Sequence, residues 1–161
     1  MKKIVTLVCT LYFVTNLDAQ VTISTNDFKV LDNTTWKGTL TYIDYQSSKP
    51  TDVATTMQIR ISDNTIEQDI QYVWEPDKNA RSRTKIKKNG SFLGKQKVIS
   101  KIVKEDGSVQ IITTARGKDG GKKATLFFIY EFNSNSYKVT KEVQFNDSDE
   151  RFMRNSYRYT K

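Results

Sequence analysis

Residues 97–132 read KVISKIVKEDGSVQIITTARGKDGGKKATLFFIYEF, and this stretch decides the fold. It contains three runs rich in β-branched and aromatic residues, which are 97–104, 108–116 and 123–132. The sequences Asp106-Gly107 and Asp119-Gly120-Gly121 separate these runs. Such Asp-Gly and Gly-Gly pairs supply the positive φ angles of tight hairpin turns. The stretch therefore predicts three antiparallel strands that follow one another in the chain.

The same pattern extends over the rest of the chain. Residues 36–45, WKGTLTYIDY, alternate, with Trp36, Leu40 and Tyr42 on one face of a strand. Asn89-Gly90 supplies another turn signal. Six further runs resemble strands: 36–45, 53–61, 66–74, 81–87, 137–145 and 151–160. Together with the first three, they predict about nine strands.

Ahead of the first strand, residues 26–33 place Phe28 and Leu31 three apart, which predicts a short helical turn. A meander of this length must satisfy its edge strands by closing into a barrel or by splitting into a two-sheet sandwich. Short sequential hairpins favour the barrel. We therefore predict an all-β, antiparallel up-and-down barrel of about eight to ten strands, whose interior is filled by side chains or holds one small ligand.

The first 20 residues have the layout of a secretory signal peptide. Lys2 and Lys3 precede an apolar run from Ile4 to Val14, and Ala19 provides a small residue before Gln20. The run is about half as long as a membrane-spanning helix, so we expect cleavage near Ala19 and no transmembrane segment afterwards. This gives two segments: a signal peptide over 1–19 and a single domain over 20–161.

The only cysteine, Cys9, lies inside this apolar run, so we expect neither a lipid anchor at the cleavage point nor a disulfide in the exported domain. The chain carries a formal net charge of +8. Because an exported protein seldom works on nucleic acid, we expect an anionic envelope surface or a small ligand as the partner, with location in the periplasm or outside the cell.

Histidine is absent from all 161 residues. The sequence therefore lacks Ser-His-Asp and Cys-His catalytic sets and histidine ligands for zinc or haem. Glu67 and Asp69 share one strand face opposite apolar residues, which indicates a solvent face, and the acidic segment 146–150 lacks the spacing of a calcium loop. We expect no catalytic residues, no metal and no cofactor.

Four cations repeat at every second position of one predicted strand: Arg81, Arg83, Lys85 and Lys87. We call this set the basic stripe. Because burial of four unpaired cations is costly, we expect the stripe to face outward, where it is a candidate anion-binding surface.

Large side chains fall on the predicted inward faces of several strands. As candidates for lining a ligand cavity we take Tyr42, Met57, Tyr72, Trp74, Phe128 and Tyr130. The same residues, with Trp36 and Phe132, would also be expected if they simply filled a solid core. Burial alone does not separate these alternatives.

The two ends of the domain resemble lipocalin-like (calycin) barrels. The resemblance rests on a short turn followed by Trp36 and Gly38, and on arginines in the last strand. The segments KEVQF and RNSYRYTK are also similar to exported bacterial proteins of lipocalin-like type. The resemblance implies that a basic side chain near the chain end covers Trp36 and closes the barrel, with Arg158 or Arg154 in that role. One departure is Thr34, where the family usually has glycine.

The sequence thus favours non-catalytic binding of a small apolar or amphipathic ligand inside the barrel. The alternative is an envelope-associated interaction module that uses the basic stripe and has a filled interior.

Overall fold

The computed structural model describes residues 20–161, so the predicted signal peptide and Cys9 lie outside the described residues. One 3-10 helix, Thr25–Leu31, precedes the strands, and a second, Pro76–Lys78, lies between the third and fourth. The strands are β1 (Thr34–Ile43), β2 (Pro50–Ser62), β3 (Thr65–Tyr72), β4 (Ala80–Lys87), β5 (Phe92–Leu93), β6 (Gln96–Val103), β7 (Val109–Asp119), β8 (Lys122–Phe132), β9 (Ser136–Phe145) and β10 (Arg151–Thr160).

The strands form one closed antiparallel barrel in which each strand lies beside its neighbours in the chain and β1 pairs with β10. The prediction of an all-β, up-and-down barrel is therefore confirmed, and the two-sheet sandwich is excluded. The structure has one strand more than the nine predicted runs, and this additional strand is β5. Its two residues are too few to show any alternation, which explains why the pattern did not reveal it.

The interior side of each strand follows from the register. Trp36 pairs with Met57, and both side chains are buried, so alternation directs Gly38, Leu40 and Tyr42 inward as well. Gly38 lies against β10 so closely that a Cβ atom there would stand 2.1 Å from the carbonyl oxygen of Arg158. Only glycine fits this crossing of β1 and β10.

The first 3-10 helix seals the barrel at the end where β1 begins, which we call the closed end. Phe28 and Leu31 are buried, as predicted, and the Phe28 ring stacks on Phe132 with centroids 5.4 Å apart. The helix is attached to the wall by an ion pair between Asp27 and Lys101, 3.2 Å long. Within residues 20–161, no helix is long and apolar enough to cross a membrane.

Trp36 packs beside this helix at the closed end and is 0% exposed. Its indole Nε1 donates a hydrogen bond of 2.7 Å to the Thr34 hydroxyl, and the Lys161 ammonium lies 5.0 Å from the indole ring. A basic side chain from the chain end therefore does lie against the tryptophan, but the prediction of which residue was wrong. The residue is Lys161, three positions beyond Arg158.

The two predicted arginines point elsewhere for identifiable reasons. Arg158 pairs with Thr39 on the outward face, where its guanidinium donates to the Thr41 hydroxyl at 2.9 Å. Arg154 lies at a bulge of β10 near the opposite end of the barrel, next to Asp119. Strand alternation and distance along β10 keep both away from Trp36.

The wall of the barrel has a narrow seam at β5. This strand pairs with only two residues of β4 and two of β6. In the described ladders, residues 80–84 of β4 pair only with β3, and residues 115–119 of β7 pair only with β8. These one-sided segments both lie toward the end opposite the 3-10 helix, which we call the open end.

Candidate functional site

The interior changes character between the two ends. In the closed half, Phe132, Tyr137 and Tyr159 are buried, and the Tyr137 ring centroid lies 6.1 Å from that of Phe132 and 6.2 Å from that of Tyr159. Toward the open end, Asp119, Ala124 and Val143 also face inward and are buried. Eight other inward-facing residues there are only partly buried: Leu40, Tyr42, Val53, Tyr72, Phe128, Lys141, Asn155 and Tyr157. We call this partly buried half of the interior the cup. It is the candidate ligand site.

Hydrogen-bonded tyrosines form the floor of the cup. Tyr130 donates to Gln96 at 2.9 Å, and Gln68 donates to the Tyr137 hydroxyl at 3.1 Å. Burial raises the pKa of Tyr130 to about 12 and raises the pKa of Tyr137 further. Both phenols are therefore neutral at physiological pH, and the floor carries no charge.

A second tyrosine pair lies higher on the wall. The hydroxyls of Tyr72 and Tyr157 are 2.8 Å apart and share a hydrogen bond across the interior. Burial, followed by the hydrogen bond with Tyr72, raises the pKa of Tyr157. The pair presents aromatic faces to the cup and one polar bridge between β3 and β10.

The structure places the six predicted cavity residues in different environments. Tyr42, Tyr72 and Phe128 face the cup, and Tyr130 belongs to its floor. Met57 is 2% exposed beside Trp36 and belongs to the core of the closed half. Whether any of these residues contacts a ligand stays a prediction.

The inward placement predicted for Trp74 is wrong. β3 ends at Tyr72, and the chain turns away before the second 3-10 helix, with the Glu75 amide bonded to the Tyr72 carbonyl. Trp74 therefore lies in a loop at the open end, 81% exposed. The prediction was wrong because it extends the alternation of β3 two residues beyond Tyr72, where the strand ends.

A buried carboxylate organises the wall near the open end. Asp119, 3% exposed, accepts hydrogen bonds from Tyr45 at 2.9 Å, from the Arg154 Nε at 2.9 Å and from the Lys141 ammonium at 3.3 Å. Burial alone would raise the pKa of Asp119, but these three donors outweigh it and hold the pKa below the usual range. Asp119 is thus ionised and anchors both cations.

Two aromatic rings contact Arg154 in addition to Asp119. Its guanidinium carbon lies 4.3 Å from the Tyr45 ring centroid and 5.1 Å from that of Phe152. Such stacking and a charged hydrogen bond fix a planar guanidinium in one orientation. Asp119 and Arg154 therefore form a rigid, electrically neutral pair, while Lys141 adds one further positive charge.

Sequence reasoning missed Asp119, Lys141 and Asn155. Asp119 looked like an ordinary turn residue because Gly120 and Gly121 follow it. A signal was present for Lys141, since alternation along β9 puts it on the same face as buried Tyr137 and Val143.

The outer wall carries the basic stripe, and all four of its cations are exposed, as expected. Arg81 and Arg60 both bind Asp69, and Arg83 binds Glu67 at 3.0 Å. The hydrogen bond from Arg81, against a weaker effect of burial, lowers the pKa of Asp69. The two carboxylates predicted to face solvent thus neutralise the arginine half of the stripe.

The lysine half of the stripe has no such partners. Among residues 20–161, no ion pair involves Lys85, Lys87, Lys95 or Lys97. A surface pocket of about 400 Å³ is lined by residues that include Lys85, Lys87 and Lys95. Any electrostatic attraction of the stripe for anions therefore comes chiefly from its lysines.

Another surface pocket, of about 370 Å³, lies at the rim of the closed end. Its lining includes Lys104, Glu131, Lys138 and Arg158, and Lys138 already binds Glu131 at 3.1 Å. None of the eight residues that define the cup lines this pocket.

The part of the chain that the structure describes contains no group of three or more Asp, Glu, His or Cys side chains placed to hold a metal ion. The acidic segment 146–150 forms the turn between β9 and β10, with the Ser148 amide bonded to the Phe145 carbonyl. Comparison with known protein families and with curated proteins finds no match to this chain.

Proposed function

We propose that this protein binds a small apolar or amphipathic molecule in the cup and catalyses no reaction on it. The proposal rests chiefly on the contrast within one barrel. The closed half is sealed by Phe28, Leu31 and Trp36, whereas the eight side chains that define the cup stay partly accessible. A closed barrel of this size leaves room for one small ligand where side chains do not fill it.

The cup offers a suitable surface and length. Leu40, Val53 and Phe128 supply apolar contacts, and the tyrosine pair adds aromatic faces. Between Tyr42 and Gly38, which lies at the level of the buried layer, β1 extends about 14 Å, given a rise of about 3.4 Å per residue. This depth suits a short chain or a few fused rings and not a long lipid.

The absence of histidine and the resemblance to lipocalin-like barrels support a carrier without catalytic residues. The signal-like start of the chain supports work in the periplasm or outside the cell. Residues 20–161 contain no cysteine, so no disulfide within this domain would hold a loop over a bound ligand.

The test combines native mass spectrometry with a variant that fills the cup. The full chain, purified from its own host, is expected to retain a small molecule in one-to-one ratio. Leu40→Trp should weaken binding of a neutral apolar dye by about tenfold or more, since the added ring occupies the cup. Val103→Trp, at an exposed position on β6, is the matched control and should change nothing.

This function would be refuted if the purified chain showed the mass of the protein alone and if Leu40→Trp and Val103→Trp bound the dye with equal affinity.

The lysine half of the stripe favours a second function, docking on an anionic envelope surface. The observation is that Lys85 and Lys87 of the stripe, and Lys95 and Lys97 outside it, form no ion pair within residues 20–161. Attraction of this kind weakens with salt, because exposed charges are screened over about 10 Å at 0.1 M ionic strength. Cosedimentation with vesicles of phosphatidylglycerol and phosphatidylcholine should therefore fall as salt is added.

Replacing these four lysines by glutamine should abolish the salt-sensitive binding. Arg81→Gln with Arg83→Gln is the comparison, and it should have a smaller effect because Asp69 and Glu67 already neutralise those arginines. Unchanged sedimentation of the lysine variant would dismiss this second function.

A further inference from the structure

One row of inward-facing side chains crosses the upper cup on three neighbouring strands. The register pairs Tyr42 of β1 with Asn155 of β10, and Asn155 with Lys141 of β9. Side chains in one row of a small barrel converge on its axis. The three residues therefore present a hydroxyl, an amide and an ammonium to the same part of the cup.

These three groups have unused hydrogen-bonding capacity. Within residues 20–161, the Tyr42 hydroxyl and the Asn155 side-chain amide have no hydrogen-bond partner, and the Lys141 ammonium bonds only to Asp119. An ammonium has three donors, so two remain on Lys141. Elsewhere in the interior, the tyrosine, glutamine and threonine side chains bond to one another. The row thus presents donors that the described protein groups satisfy only in part, through the single bond from Lys141 to Asp119.

The charge of the row also lacks a counterpart. Asp119 balances Arg154, to which it binds at 2.6 Å, so the charge of Lys141 is in excess by one unit. The Lys141 side chain is 22% exposed, and that of Asp119 is 1% exposed. A positive charge in a largely enclosed, partly apolar space attracts an anion more strongly than one in open solvent does.

We propose that the ligand of the cup is an amphiphile with a single carboxylate headgroup. The carboxylate accepts hydrogen bonds from Lys141, Asn155 and Tyr42, and the apolar tail extends inward past Leu40 and Tyr157. This inference rests on the proposed binding function and specifies its ligand class. A carboxylate fits because it only accepts hydrogen bonds and carries one negative charge, which equals the excess.

Arg154 is a positioning residue in this scheme. It contacts the rings of Tyr45 and Phe152 and bonds to one oxygen of Asp119, whose other oxygen bonds to Lys141. Asp119 in turn keeps the ammonium directed into the cup without neutralising it fully, because Arg154 already takes that charge. The ligand carboxylate therefore completes a chain of alternating charges that begins at Arg154.

The experiment compares decanoate with 1-decanol, which share the same tail, by isothermal titration calorimetry on the full chain at neutral pH. We expect decanoate to bind at least about tenfold more tightly, the size of effect typical of a charge-assisted hydrogen bond. Lys141→Met should remove this preference and leave decanol binding within about twofold. Lys37→Met, at an exposed lysine on the outward face of β1, is the matched control and should keep the preference.

The outcomes separate this inference from the function it rests on. Equal binding of the two compounds, or an unchanged preference in Lys141→Met, would overturn the carboxylate assignment and leave the carrier function standing. Binding of neither compound would overturn both. Tyr42→Phe deletes one donor and keeps the ring, so it provides the same test should Lys141→Met fail to fold, and it should weaken decanoate alone by several-fold.

Discussion

Removal of the Trp36 side chain should destabilise the barrel strongly. The indole is 0% exposed, its Nε1 bonds to Thr34, and its ring contacts Tyr137 with centroids 6.4 Å apart. Trp36→Ala leaves a cavity at the closed end, and such replacements of buried tryptophan cost about 3 to 5 kcal/mol. Most of this loss is packing, because the Thr34 hydroxyl keeps its own hydrogen bond to the Leu31 carbonyl.

For a domain of this size, the expected loss lowers the melting temperature by about 10 to 15 °C. The measurement is thermal unfolding followed by far-UV circular dichroism. Fluorescence is unsuitable for Trp36→Ala, since its only remaining tryptophan, Trp74, is exposed before unfolding as well as after it.

Trp74→Ala is a control of identical chemistry, and at 81% exposure it should change stability by no more than about 0.5 kcal/mol. This variant also leaves Trp36 as a single buried reporter. A melting temperature of Trp36→Ala within a few degrees of the wild type would refute the assignment of Trp36 to the seal of the closed end.

Two further predictions concern single positions in the wall. Asp119→Asn should cost about 3 kcal/mol at neutral pH, because it leaves buried cations without their counter-ion. Since the pKa of Asp119 is lowered in the folded state, the loss of stability should be full above about pH 5 and shrink as pH falls through the folded-state pKa. Urea unfolding at several pH values measures this loss. A difference between the variant and the wild type that does not change with pH would contradict the buried ion cluster. Gly38→Ala should lower the free energy of unfolding by more than about 3 kcal/mol, because the added Cβ would stand 2.1 Å from the Arg158 carbonyl oxygen. A melting temperature near that of the wild type would contradict the close crossing of β1 and β10.

Much of the fold could be predicted from local patterns because the hairpin turns and the alternation act over a few residues. The 3-10 helix was visible in the spacing of Phe28 and Leu31, which become buried when it seals the barrel. The two-residue β5 was not, since its existence depends on β4 and β6 being brought together by the rest of the barrel. Local propensity contains no information about such a short bridge.

The candidate site was less accessible to sequence reasoning for a related reason. The partners of Asp119 come from three separate parts of the chain, at Tyr45, Lys141 and Arg154, so only the closed ring brings them together. The basic residue over Trp36 was anticipated in kind, but its identity depended on the register of β10 and on where that strand ends. Lys161 lies beyond the last residue of β10, opposite the start of β1.

The seam at β5 gives the basic stripe a further consequence, for encounters between copies of the chain. Residues 80–84 of β4 and 115–119 of β7 pair on one side only, so their free backbone groups resemble the border of an open sheet. Exposed borders of this kind invite strands of other molecules and lead to aggregation, and charged side chains oppose this. Arg81 and Arg83 stand on one border and Arg116 and Lys118 on the other. Arg116 and Lys118 form no ion pair within residues 20–161, so they repel the same border of an identical neighbour. Arg81 and Arg83 are paired with Asp69 and Glu67, and they hinder strand addition by their size and hydration, so charged side chains on both borders favour colloidal stability.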